Sequence, residues 1–102
     1  MSNAEGAGER PAEVVALVKP QFEAGKREAD RGGGVIRDPA VHERVLREVL
    51  GAAAETGFAP KGLIRSPLKG PAGNIEFLAW LVWGAPGEGL PVESLIDSIG
   101  KD

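Results

Sequence analysis

"VVALVKP", residues 14–20, decides how this chain folds. Val14, Val15, Ala16, Leu17 and Val18 run without the polar alternation of a half-exposed strand, which predicts a strand covered on both faces, as in parallel sheets. Pro20 stops it. A residue before proline is driven to extended geometry, so Lys19 is expected as the last strand residue, its charge at the strand's carboxyl end. An apolar strand tipped by one cation is what the remaining segments have to account for.

Outward from that strand, residues 21–37 are charged and glycine-rich and read as a long surface loop, a feature that is often functional in a compact domain. Asp38 is an N-cap with Pro39 at the first helical position. The helix that follows carries Val41, Val45, Leu46, Val49, Leu50 and Ala53 at helical spacing, and Gly57 ends it. A short strand is expected at Leu63–Ser66. The segment from Ser66 to Asn74 is dense in turn residues, and Ile75–Trp83, apolar apart from Glu76, reads as a central strand. Pro86, Gly87 and Gly89 break the pattern, after which Pro91 opens a closing helix with Val92, Leu95, Ile96 and Ile99 on one side.

Composition sets the outer limits. A chain of 102 residues, 42% hydrophobic and 26% charged, is one globular domain at most. The apolar Ile75–Trp83 run is about half of what a spanning helix needs. Cysteine is absent, which removes disulfides, thiolate nucleophiles and cysteine-based zinc sites and fits a cytoplasmic setting. A net charge of -3 argues against nucleic-acid binding by the whole surface but allows a local basic rim. Residues 1–10 read as a leader or expression remnant, which leaves 11–102 as the folded portion.

The order strand, helix, strand, strand, helix has a geometric consequence. A strand–helix–strand unit makes a right-handed parallel crossover, so the Leu63 strand runs parallel to the Val14 strand, and Lys19 and Ser66 end on one sheet edge. The next strand starts at that edge and returns antiparallel. If it lies between the other two, Lys19 and Glu76 are neighbours, at the edge where open α/β sheets bind ligands.

Three blocks, "LVKPQFE" (17–23), "GGGVIRD" (32–38) and "SPLKGPAGNIEFLAWL" (66–81), in this order resemble the C-terminal half of the hemolysin A-type, FtsJ-like ribosomal RNA methyltransferases. The resemblance runs from about Leu17 to Trp83. It implies the C-terminal half of a Rossmann-like α/β methyltransferase sheet, with its last strand antiparallel. It also implies S-adenosylmethionine as cofactor, ribosomal RNA as substrate and ribose 2'-O-methylation as reaction. In such enzymes a Lys, Asp, Lys, Glu tetrad acts, and by matching position the second lysine is Lys19 and the glutamate Glu76. The first lysine, the aspartate, the cofactor loop and an S4-type RNA-binding domain are expected upstream, so the chain is expected to be an inactive fragment on its own.

The chemistry follows from the residue types. A lysine ammonium can donate to a ribose oxygen and stabilise the developing alkoxide, with Glu76 fixing the lysine in place. From the residue pattern alone, a strand-end charge paired with an edge carboxylate is the commoner reading; the resemblance reverses that preference. Arg37 and Lys69, with Lys26, Arg27 and Arg31 beside them, are candidates for phosphate contact, against the blander reading of solvated loop charge. Ser66 and Asn74 either shape the turn through side-chain hydrogen bonds or touch RNA.

Three other features are discounted. Gly32-Gly33-Gly34 lacks both dinucleotide and Walker spacing. His42 stands alone and is expected in solvent on the first helical turn. Trp80 and Trp83 are expected in the core rather than stacking on bases. A second functional class, a hemolysin-like membrane-active or protein-interaction module, is disfavoured by the lack of a cationic amphipathic helix. The outer edge of the Val14 strand, left open, is expected to pair with another copy or to be covered by the leader.

Overall fold

A computed structural model describes residues 12–25, 33–84 and 88–99. Strand β1 (Ala12–Val18), the one-turn helix α1 (Pro20–Glu23), helix α2 (Pro39–Thr56), strand β2 (Phe58–Arg65), a 3-10 turn (Pro71–Gly73), strand β3 (Phe77–Trp83) and helix α3 (Val92–Ile99) follow in order. Residues 1–10, expected as a leader, the cations Lys26, Arg27 and Arg31, and the Gly32, Pro86 and Gly87 breaks lie outside the described residues.

The sheet order is β1-β3-β2, with β3 antiparallel to both neighbours. β1 and β2 therefore run parallel with the apolar returning strand between them, as the crossover argument expects. β2 is longer than its expected span and starts at Phe58. Turn residues mask that start: Pro60 sits at a register shift against β3, and proline is tolerated there because β2 is an edge strand. β3 begins at Phe77, two residues later than expected, because Ile75 and Glu76 still belong to the approach from the turn.

Helices α2 and α3 pack on one face of the sheet. Val45, Leu46 and Leu50 of α2 and Leu95, Ile96 and Ile99 of α3 bury against Val18, Leu63, Phe77, Ala79 and Leu81. Both helix ends obey their sequence signals. Asp38 Oδ1 accepts from Ala40 N at 2.9 Å, with Pro39 in the first turn. Gly57, at φ 124°, ends α2 where a Cβ would stand 2.9 Å from the Trp83 ring, so both its backbone and its neighbour require glycine.

Three expectations are corrected here. β1 is not covered on both faces: Val15 is 66% and Leu17 48% exposed, because the described helices cover only the opposite side. Trp80 and Trp83 are not core residues. Trp80 lies on the uncovered face and donates through Nε1 to Glu13 Oε1 at 2.9 Å, while Trp83, at the strand's far end, meets Phe58 edge-on. The segment 21–37 is not simply a surface loop, since it opens with α1, and Val35 and Ile36 are buried.

Candidate functional site

The carboxyl ends of β1 and β2 and the start of β3 converge on one edge. Val18 pairs with Phe77 and Arg65 pairs with Phe77 from the other side. One step outward, Lys19, Glu76 and Ser66 therefore line up side by side, and Ser66 N donates to Glu76 O at 2.8 Å. Sequence topology brings Lys19 and Glu76 together as expected.

Lys19 is held from two directions. Strand register fixes it on one side; on the other its carbonyl accepts from Phe22 N at 2.9 Å and Glu23 N at 3.1 Å, opening α1. Its backbone is extended (φ -116°, ψ 96°), the geometry that the following proline imposes. Its Nζ lies 5.6 Å from the centroid of the Phe22 ring, within cation–π range.

The direct ion pair that the sequence reading gives Lys19 and Glu76 is not formed. Among the described residues the partner of Glu76 is Gln21, whose Nε2 donates to Glu76 Oε2 at 2.6 Å. Both side chains are buried. Gly70 forms the opposite wall. A Cβ there would stand 2.0 Å from Glu76 Oε2 and 3.3 Å from Gln21 Nε2, so the carboxylate occupies space that only glycine leaves. Gln21 Oε1 is buried with no hydrogen-bond partner.

The loop around this edge is organised by Asn74, which is 1% exposed. Its Oδ1 accepts from Ile36 N, and its Nδ2 donates to Gly34 O and Pro71 O, each at 2.9 Å. One amide thus ties the 34–36 segment to the 3-10 turn, which sets the exposed Arg37 beside the same edge. Ser66 Oγ accepts from Leu68 N at 3.2 Å. Both residues make the turn-shaping hydrogen bonds expected of them. Lys69 is exposed next to Gly70.

His42 corrects another expectation. It is buried, with Nε2 2.8 Å from Ile36 O and its ring edge-on to Phe77 at 5.6 Å. Pro39 and Ala40 of that turn are exposed, but the His42 side of it faces the loop that Asn74 holds, where the ring anchors on Ile36 O. Gln21 was missed altogether. Its place two residues after Lys19 and directly after proline was the available signal, but nothing local says that a glutamine beside a helix turn reaches a carboxylate 55 residues away.

Two clefts stand out elsewhere. One, of about 50 Å³, lies among Pro39, His42, Glu43, Arg65 and Ile99. The other is a trough of about 240 Å³ on the uncovered sheet face, lined by Val15, Ile64, Leu78 and Trp80. Both fall short of the roughly 300–1,000 Å³ of small-molecule sites, and neither is lined by Lys19 or Glu76. Neither of these two clefts is large enough for a cofactor of nucleoside size. No helix among them is long and apolar enough to cross a membrane.

Two parallel strands flanking an antiparallel one, with helices on one face, give an α/β unit whose class comparison with known proteins supplies. The family model for "FtsJ-like methyltransferase" matches residues 1–83, and the chain belongs to that family. It is similar to YqxC of Bacillus subtilis, 47% identical over 82% of this chain and 31% of that protein. The 16S/23S rRNA (cytidine-2'-O)-methyltransferase TlyA of Mycobacterium tuberculosis is 45% identical over 74% of this chain and 28% of its own length. A crystal structure of a protein bearing the hemolysin name from Lactococcus lactis superposes with a TM-score of 0.71 at 44% identity, covering 86% of this chain and 43% of that one. The chain thus spans about a third of the length of these curated relatives.

Proposed function

We propose that this chain is the C-terminal portion of the catalytic domain of an S-adenosylmethionine-dependent ribosomal RNA ribose 2'-O-methyltransferase, inactive by itself. The observation that supports the reading is the register: Val18 pairs with Phe77, which sets Lys19 and Glu76 at one sheet edge, and the resemblance of the motifs matches them to the family's second lysine and glutamate. The cofactor's cradle belongs to the upstream half of the domain, and the steps ascribed to this chain are on the RNA side only.

Lys19 directs its ammonium at the ribose 2'-hydroxyl, orienting it and stabilising the oxygen as negative charge develops; fixed orientation of this kind supplies a large part of such a rate. Glu76 sets the polar environment beside the lysine while held by Gln21 rather than by direct pairing. Arg37 and Lys69 meet RNA phosphates, with Ser66 on the same rim. Asn74 serves RNA contact through the loop it holds, because its own polar atoms are engaged. The uncovered sheet face and the open edge of β1 receive the upstream half of the domain, which joins an S4-type RNA-binding domain; without it, a second copy pairs there.

The test is transfer of labelled methyl groups from S-adenosylmethionine to ribosomal RNA by the full-length protein that carries this segment, with the product read as 2'-O-methyl nucleotide. The chain alone is expected to give none, and Lys19→Ala in the full-length protein is expected to remove at least two orders of magnitude of activity. A second reading, a hemolysin-like membrane-active or protein-interaction module, draws on the exposed Val15, Ile64 and Trp80. Full-length protein that leaves ribosomal RNA unmethylated but releases dye from lipid vesicles would replace the first reading.

A further inference from the structure

We propose that Gln21, working against the wall made by Gly70, is the positioning residue that sets the Glu76 carboxylate at this edge; the proposal deepens the methyltransferase reading and rests on it for its kinetic arm. Three observations converge. Gln21 Nε2 is 2.6 Å from Glu76 Oε2 with both side chains buried, so the contact is sheltered from competing water. The place for a Cβ on Gly70 coincides with the carboxylate, which leaves Oε2 one stable position, between the amide and the glycine. Gln21 Oε1 is buried without a donor.

A buried acceptor that has lost water and gained nothing lowers stability, and an apolar side chain of the same length would avoid that loss. An amide here is explained by what its nitrogen does for Glu76. Because Pro20 and the bonds from Phe22 N and Glu23 N to the Lys19 carbonyl fix α1 to the end of β1, Gln21 also couples the carboxylate to the backbone that carries Lys19. The pair of functional side chains is thus registered through a neutral residue.

Two substitutions test this from opposite sides. Gln21→Met keeps length and removes the donor. Gly70→Ala keeps the backbone, whose φ of -79° suits alanine, and displaces a carboxylate end that can swing away without unfolding the chain. In the full-length protein each is expected to lower kcat by about ten- to a hundredfold with KM for RNA unchanged, while thermal unfolding stays cooperative. Retention of kcat within about twofold in both variants, or a fall that only tracks the lost folded fraction, overturns the proposal.

A spectroscopic arm is independent of the reaction. In the isolated chain the Gln21 side-chain amide protons are expected downfield and slow to exchange, and the Glu76 carboxyl carbon is expected to shift on Gln21→Met. A Gln21 amide exchanging like an exposed one, with Glu76 unmoved by the substitution, overturns positioning. If the full-length protein methylates nothing while these signatures hold, the functional reading fails and the positioning stands.

Discussion

Gln21 and Glu76, 55 residues apart, meet through one buried hydrogen bond, and that bond joins the exit of β1 to the entry of β3. The cation that precedes Gln21 by two residues is left half-buried over the Phe22 ring instead of being drawn into a salt bridge. This arrangement keeps the lysine available to a third group. A direct buried pair would spend its charge on Glu76 and would carry the desolvation of both ions. The neutral bridge keeps the two groups in register and their chemistry separate.

Asn74 makes the strongest single prediction for stability. Its side chain satisfies the buried Ile36 N and bonds the part-buried Gly34 O and Pro71 O, so removing it strands Ile36 N, loosens the loop from the turn and empties the space it fills, although Pro71 O still accepts from Asn74 N. Asn74→Ala is expected to cost about 2–3 kcal/mol, a fall in Tm on the order of 10 °C for a domain of this size. Asn74→Asp keeps the acceptor for Ile36 N and loses both donated bonds, so it is expected to be nearly as damaging. Thermal unfolding followed by circular dichroism reads both.

Much of this was legible beforehand, and the particular residues show why. Lys19 could be placed because proline restricts its predecessor, α2 because Asp38, Pro39 and Gly57 mark its ends, and the parallel run of β1 and β2 because a strand–helix–strand crossover has one hand, while the central place of β3 rested on its apolar run. What escaped depends on which face is covered and on contacts far apart in sequence. An apolar run does not say whether a second layer exists, so β1, Trp80 and Trp83 were read as buried. His42 and Gln21 are polar residues in polar stretches, and only the closed loop reveals that each is buried on a partner.

The two helices are tied by Arg47 and Glu93, and here pH dependence follows. Arg47 donates through Nε to Glu93 Oε2 and through Nη2 to Oε1, the latter at 2.9 Å. Those hydrogen bonds, aided by the guanidinium charge and opposed by slight desolvation, hold the Glu93 carboxyl below its ordinary 4.5. A carboxyl lowered by folding stabilises fully above its unfolded value and loses that contribution as pH falls through its folded one. The Tm difference between the chain and Glu93→Gln is therefore expected to be constant above about pH 5 and to shrink as the solution is acidified. Because the pair is exposed, the difference is expected to be small and to fall with added salt. A gap that widens on acidification would contradict the assignment.

The uncovered sheet face predicts self-association of the isolated chain. Val15 is 66%, Ile64 55% and Trp80 43% exposed on one side of three strands, beside the unpaired edge of β1. An apolar surface next to free strand hydrogen-bonding groups invites another copy. Sedimentation is expected to show mass above the 10.6 kDa of one chain, rising with concentration. The double substitution Val15→Lys, Ile64→Lys is expected to restore the single-chain mass without loss of helix signal, since neither side chain belongs to the packed core. A single-chain mass at every concentration would refute the expectation.

Ala72 offers a gain rather than a loss. It sits at φ 57°, ψ 21° inside the Pro71–Gly73 turn, in the left-handed region that costs a residue with a Cβ about 1–2 kcal/mol. The side chain is exposed, so removing its methyl group opens no cavity. Ala72→Gly relieves the backbone but widens the freedom of the unfolded chain, which returns about 0.4–1 kcal/mol. The net expectation is a stabilisation of up to about 1 kcal/mol, seen as a Tm higher by a few degrees. The turn also fixes Asn74, whose Nδ2 bonds back to Pro71 O, so the conformation is imposed from below and is expected to survive the substitution. An unchanged bond from Gly73 N to Gly70 O in the variant's crystal structure, together with the higher Tm, checks both halves of the argument. A lower Tm would mean that the native turn does not hold Ala72 in the left-handed region in solution.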